Sequence, residues 1–78
     1  MQRGYALANI DLDKVVGIKK DKSGFYLIPI LDLSTLNKAL CFNNITAAKA
    51  IQTQITDFDP DFPEIKIVNV AQLYNNFM

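Results

Sequence analysis

Seventy-eight residues, half of them apolar, make a single domain spanning 1–78 and exclude disorder, because such a composition can bury a core. A chain this short buries only roughly 60–65% of the surface its unfolded form exposes, so association with a second copy or an obligate partner is weighed equally with a monomer. Eight basic residues against eight acidic leave no net field to attract phosphate backbones or anionic lipid.

Tyr5-Ala6-Leu7-Ala8-Asn9-Ile10 alternates weakly, as a short first strand would, and Asp11-Leu12-Asp13 reads as a turn, since Asp side chains compete for nearby backbone donors. Val15-Val16-Gly17-Ile18 is a second strand, with Gly17 weakening it or marking a bulge. The polar run Lys19-Lys20-Asp21-Lys22-Ser23-Gly24, set between apolar segments, predicts a β-hairpin.

Gly24-Phe25-Tyr26-Leu27-Ile28-Pro29-Ile30-Leu31 is the longest apolar run and the stretch around which the chain is organised. Aromatic and β-branched residues suit a pleated surface, and both faces are apolar. Pro29, which lacks an N–H, belongs at a sheet edge or a bulge. Together these predict an edge or bulged strand with one face in the core and the other, bearing Tyr26, Ile28 and Ile30, against a partner.

Residues 32–38 read as a connection into a third strand, Ala39-Leu40-Cys41-Phe42. The alternative is a helix with Ser34 as its cap, since Leu33, Leu36 and Leu40 fall at helical spacing; the strand is favoured. A helix follows from about Thr46 to Thr56, capped by Asn43, Asn44 or Thr46, with Ile45, Ala48, Ile51, Ile55 and Phe58 as its apolar stripe. Pro60 and Pro63 end it. Glu64–Val70 is the last strand; Ile65 and Ile67 lie on one face and Val68 and Val70 on the other, so both faces are covered or a bulge intervenes. The tail from Ala71 adds a helical turn or two, with Leu73, Tyr74 and Phe77 on one side, and its Phe-Met end is expected to dock. The sum is ββ(β)αβ: a small two-layer α+β domain with a three- to four-stranded, mainly antiparallel sheet on one main helix.

The absence of histidine removes the commonest general base and transition-metal ligand. One cysteine, Cys41 between Leu40 and Phe42, allows no internal disulfide and no zinc site, and no charged neighbour in sequence makes it a thiolate. Gly4, Gly17 and Gly24 are isolated, so there is no glycine-rich phosphate loop. These absences point to a protein without catalytic residues, cofactor or metal. A lone cysteine, no secretory pattern and no apolar segment of membrane-spanning length point to a cytoplasmic protein that does not enter a membrane.

Two motifs remain. Asp57-Phe58-Asp59-Pro60-Asp61-Phe62-Pro63-Glu64 opens with the spacing of a calcium loop, but the sixth position is Phe62 rather than glycine and position twelve carries no glutamate. It reads as a solvated connection, or as an acidic-aromatic docking surface built on Phe58, Asp59, Asp61 and Phe62. Lys19, Lys20 and Lys22 at the hairpin tip, with Phe25 and Tyr26 just beyond, suggest a weak nucleic-acid contact; Lys22-Ser23-Gly24-Phe25-Tyr26 resembles the aromatic strand of RNA-binding sheets, without that strand's further Gly and aromatic spacing. Charge splits weakly, +2 over residues 1–38 and −2 over residues 39–78. The expected function is a non-enzymatic protein-interaction module, with the lysine hairpin and nucleic acid as the alternative. Small chains of this type occur among phage and mobile-element accessory proteins that act by binding or inhibiting a host protein, a likeness of size and class rather than of motif.

Overall fold

The computed structural model describes residues 4–19 and 24–76. It is α+β, with β1 (Tyr5–Asn9), β2 (Lys14–Ile18), β3 (Phe25–Pro29), a 3-10 helix (Leu33–Lys38), β4 (Cys41–Phe42), α1 (Ile45–Phe58), β5 (Ile65–Asn69) and α2 (Val70–Asn76). The sheet is antiparallel at every described pairing.

β1 is the centre. It pairs with β5 along its whole length, from Tyr5 opposite Asn69 to Asn9 opposite Ile65. Its other edge is shared: Ala8 lies opposite Val15 of β2, while Tyr5 and Ala6 lie opposite Phe42 and Cys41 of β4. β4 therefore sits in the fork between β1 and β2, and the Leu40 N–H donates to the Val16 carbonyl at 2.9 Å. Gly4 makes room for this wedge: its φ is +112°, and a Cβ there would fall 2.2 Å from the Phe42 carbonyl oxygen. β3 lies beyond β2 at the sheet's edge, as Pro29 implied.

The β1–β2 turn is organised by Asn9. Its side-chain oxygen accepts from the Asp13 and Lys14 amides at 3.1 and 2.9 Å, and its amide donates to the Asp13 carboxylate. That bond, with Lys14 nearby, holds the Asp13 carboxyl below the usual carboxylate value. Leu12 occupies the left-handed region, φ 60°, and packs half-buried against the core.

Alternation along the strands sorts side chains into two clusters. Leu7, Val16 and Ile65 meet Ile55 of α1, with Phe25, Leu27, Ile51 and Ile67 around them. On the opposite face Ala6, Ala8, Val15, Ile30 and Val68 meet Leu36 of the 3-10 helix and Leu73 of α2. The parity change along β5 is thus explained without a bulge: its register is continuous and both faces are covered. β2 also pairs regularly through Gly17. A side chain there would have to displace Ile28, because a Cβ would lie 2.6 Å from Ile28 Cδ1, while the Lys38 carbonyl oxygen at 3.5 Å leaves room for it.

Residues 33–42 resolve into both alternatives in succession, a 3-10 helix and then a two-residue strand. The helix cap is Asp32 rather than Ser34: Asp32 accepts from the Thr35 amide at 3.1 Å and from the Ser34 hydroxyl. The Ser34 hydroxyl, followed by the Thr35 amide, holds the Asp32 carboxyl below its ordinary value. α1 is capped by Asn44, which accepts from the Ala47 amide at 2.8 Å. α2 buries Leu73 and half-buries Tyr74; Phe77 and Met78 lie outside the described residues. No described helix is long and apolar enough to cross a membrane.

Candidate functional site

The aromatic segment predicted to face a partner divides between exposed and buried positions. Tyr26 is 43% exposed, but Ile28 is half-buried against the inner cluster and Ile30 is only 8% exposed within it. The Tyr26/Ile28/Ile30 face is therefore occupied by the chain itself, because Leu36 and Leu73 close over it from distant parts of the sequence. Tyr26 alone of the three presents substantial surface.

The helix stripe behaves in the opposite way. Ala48 and Ile55 are buried and Ile51 half-buried, but Ile45 is 55% and Phe58 76% exposed. A 14-residue helix is about 21 Å long, whereas five-residue strands span about 17 Å, so both ends of the stripe overhang the sheet. Phe58 is left in solvent beside other aromatic rings. A small cleft of about 90 Å³ is lined by Phe58, Phe25, Phe62 and Ile55, with Lys19 and Asp59 contributing opposite charges to its rim. Phe62 also walls a larger open groove of about 470 Å³, lined by Gln52, Thr53, Thr56, Asp57, Pro63 and Glu64.

The loop that carries Phe62 is ordered by its own hydrogen bonds. The Asp59 carboxylate accepts from the Asp61 amide at 3.2 Å and the Asp59 carbonyl from the Phe62 amide at 3.0 Å. Gln52 of α1 donates to the Ile65 carbonyl at 2.8 Å, tying the start of β5 to the helix. The structure therefore brings together the Phe58/Asp59/Phe62 motif and the base of the lysine hairpin at Lys19, which the sequence treats as separate features. Asp61 is exposed in the loop. Lys20 and Lys22 lie outside the described residues, and strand alternation sets Tyr26 on the face opposite Phe25. Sequence reasoning sets Phe25 beside the lysine tip and not at the helix end; its pairing with Ile18 brings it there, and no local signal in the sequence reports that distance.

Chemically the site offers apolar rings and fixed charges rather than a reacting group. Burial raises the Cys41 thiol above its ordinary value, and its Sγ lies 3.5 Å from the Ala39 carbonyl oxygen, a setting that disfavours the thiolate. Among the described residues no three His, Cys, Asp or Glu side chains come together to hold a metal ion. No family model, curated protein or solved structure matches the chain.

Proposed function

We propose that the chain is a non-enzymatic protein-binding module that docks a partner at the Phe58–Phe62 end. One observation carries the reading: Phe58, 76% exposed, stands at the mouth of a cleft already lined by Phe25 and Phe62 and rimmed by charges of both signs. Exposed aromatics clustered around a small pocket, with polar groups at the margin, are the usual anchors of protein interfaces. The lack of histidine and of a glycine-rich loop in the sequence supports a binding role over catalysis. A phage or mobile-element accessory protein acting on a host protein in the cytoplasm fits this reading in size and class.

The test is capture from the native host lysate at high salt, run with and without nuclease. A stoichiometric protein that is retained by the wild type and lost with Phe58→Ala supports the proposal. Phe58→Ala should leave the fold nearly intact, because the ring keeps only about a quarter of its surface buried, worth roughly 0.5 kcal/mol, whereas truncating an interface anchor costs about 2 kcal/mol or more, some thirtyfold in affinity. Binding that vanishes with nuclease would refute the reading and favour the lysine hairpin.

A further inference from the structure

The open edge of β3 carries an inference independent of the Phe58 site. Lys19 N–H donates to the Gly24 carbonyl and Ile30 N–H to the Asp13 carbonyl, which fixes the parity of the β2–β3 ladder. Hydrogen-bonded pairs alternate with non-bonded ones along an antiparallel ladder, so Tyr26 and Ile28 also turn their backbone groups toward β2. Phe25, Leu27 and Pro29 turn theirs outward, beyond the last strand. Pro29 thus stands where its missing N–H costs no bond within the sheet.

The outward row is Phe25 N–H and C=O, Leu27 N–H and C=O, and the Pro29 C=O. Edge strands are ordinarily protected by charge, brevity or cover. Here no charged residue occurs from Gly24 to Leu31, and no described strand lies beyond β3. The opposite edge differs: on β5 the Ile65 carbonyl already accepts from Gln52 and Lys66 adds a charge.

We propose that this edge pairs with the β3 edge of a second copy of the chain, antiparallel about a two-fold axis at Tyr26, joining the two sheets into one. The row is self-complementary, and its neutrality means that two copies meet without repulsion. Proline selects the register. With Phe25 opposite Leu27 of the other copy, all four N–H and C=O groups of those residues are paired in both directions. Shifted so that Leu27 meets its own symmetry mate, Pro29 falls opposite Phe25 and leaves that carbonyl without a donor. The favoured register sets the two Tyr26 side chains in a non-hydrogen-bonded pair, where cross-strand aromatic contacts are closest, and Tyr26 is half-open in the single chain.

The test combines solution mass with residue-resolved amide exchange on the full chain, from about 10 μM to about 1 mM, because self-association follows mass action. The expected result is a rise from 8.8 kDa toward twice that value, with the Phe25 and Leu27 amides slowing about tenfold while those of Tyr26 and Ile28 are slow throughout. A synthetic chain with N-methyl-leucine at position 27, which keeps the side chain and the β2 ladder, should stay monomeric. Tyr26→Lys, which sets like charges across the axis, should do the same. A constant monomer mass with rapid Phe25 and Leu27 exchange would overturn the proposal. So would a dimer indifferent to both variants, or protection of those amides only when a different protein is added.

Discussion

Gly17 and Ile28 offer the sharpest test of how the inner face is packed. A Cβ on Gly17 would lie 2.6 Å from Ile28 Cδ1, inside contact distance, but an unstrained 3.5 Å from the Lys38 carbonyl oxygen. Ile28→Val deletes the colliding atom. Overpacking of this kind costs about 1–3 kcal/mol, and here the lower end applies because Cδ1 is the tip of a side chain. Against it stands the roughly 0.5–1 kcal/mol that alanine gains over glycine in a strand interior. Gly17→Ala alone should therefore be neutral to about 1 kcal/mol destabilising. In the Ile28→Val background the same change should stabilise by about 0.5–1 kcal/mol. The swing of about 1 kcal/mol is readable as a shift of roughly 4–8 °C in Tm for a domain of this size, or from urea midpoints at constant slope. Equal effects in both backgrounds would refute the packing argument, and with it the conclusion that Ile28 is committed to the chain's own core.

Two further outcomes follow from the same geometry. Gly4→Ala places its methyl 2.2 Å from a backbone oxygen at a φ of +112°, so neither rotation nor a side-chain shift relieves it; a loss of about 2–4 kcal/mol is expected, seen as a much lower unfolding midpoint and faster exchange of the Leu40 amide. Acid should destabilise the fold through Asp13 and Asp32, whose carboxyls are held below their ordinary value mainly by the Asn9 and Ser34 side chains. A depressed folded-state value means stability that is present above the unfolded value and lost as pH falls through the folded one. Urea midpoints should hold from neutral pH to about 5 and decline below about 4, and Asp32→Asn, which still caps but does not titrate, should flatten that decline.

Much of this fold is legible in local chemistry. The β2–β3 pairing, the proline at an edge position, a helix cap among Asn43, Asn44 and Thr46, and the apolar residues on both faces of β5 follow from residue type and spacing. Leu33, Leu36 and Leu40 at helical spacing suit several structures and point to Ser34 as a cap, whereas Asp32 caps the 3-10 helix, and only the fork between β1 and β2 makes Cys41–Phe42 a strand. The candidate site was harder to read. Alternation groups Tyr26 with Ile28 and Ile30 correctly, yet it says nothing of Leu36 and Leu73, which arrive from elsewhere and bury the latter two. Phe58 fits the apolar stripe perfectly by period and still ends in solvent, because a stripe reports direction around a helix and not where the sheet beneath it stops.

The position of β1 has a kinetic consequence. Its longest pairing joins residues roughly sixty positions apart, and such distant contacts must overcome a large loop-closure entropy before any bond rewards them. The β2–β3 hairpin and α1 can form from nearby residues, but the central strand remains half-paired until β5 arrives. Folding should therefore be limited by docking β5 onto β1. Substitutions in the β1–β5 seam, such as Leu7→Ala or Val68→Ala, should slow refolding, whereas changes in elements that dock after that step should chiefly speed unfolding.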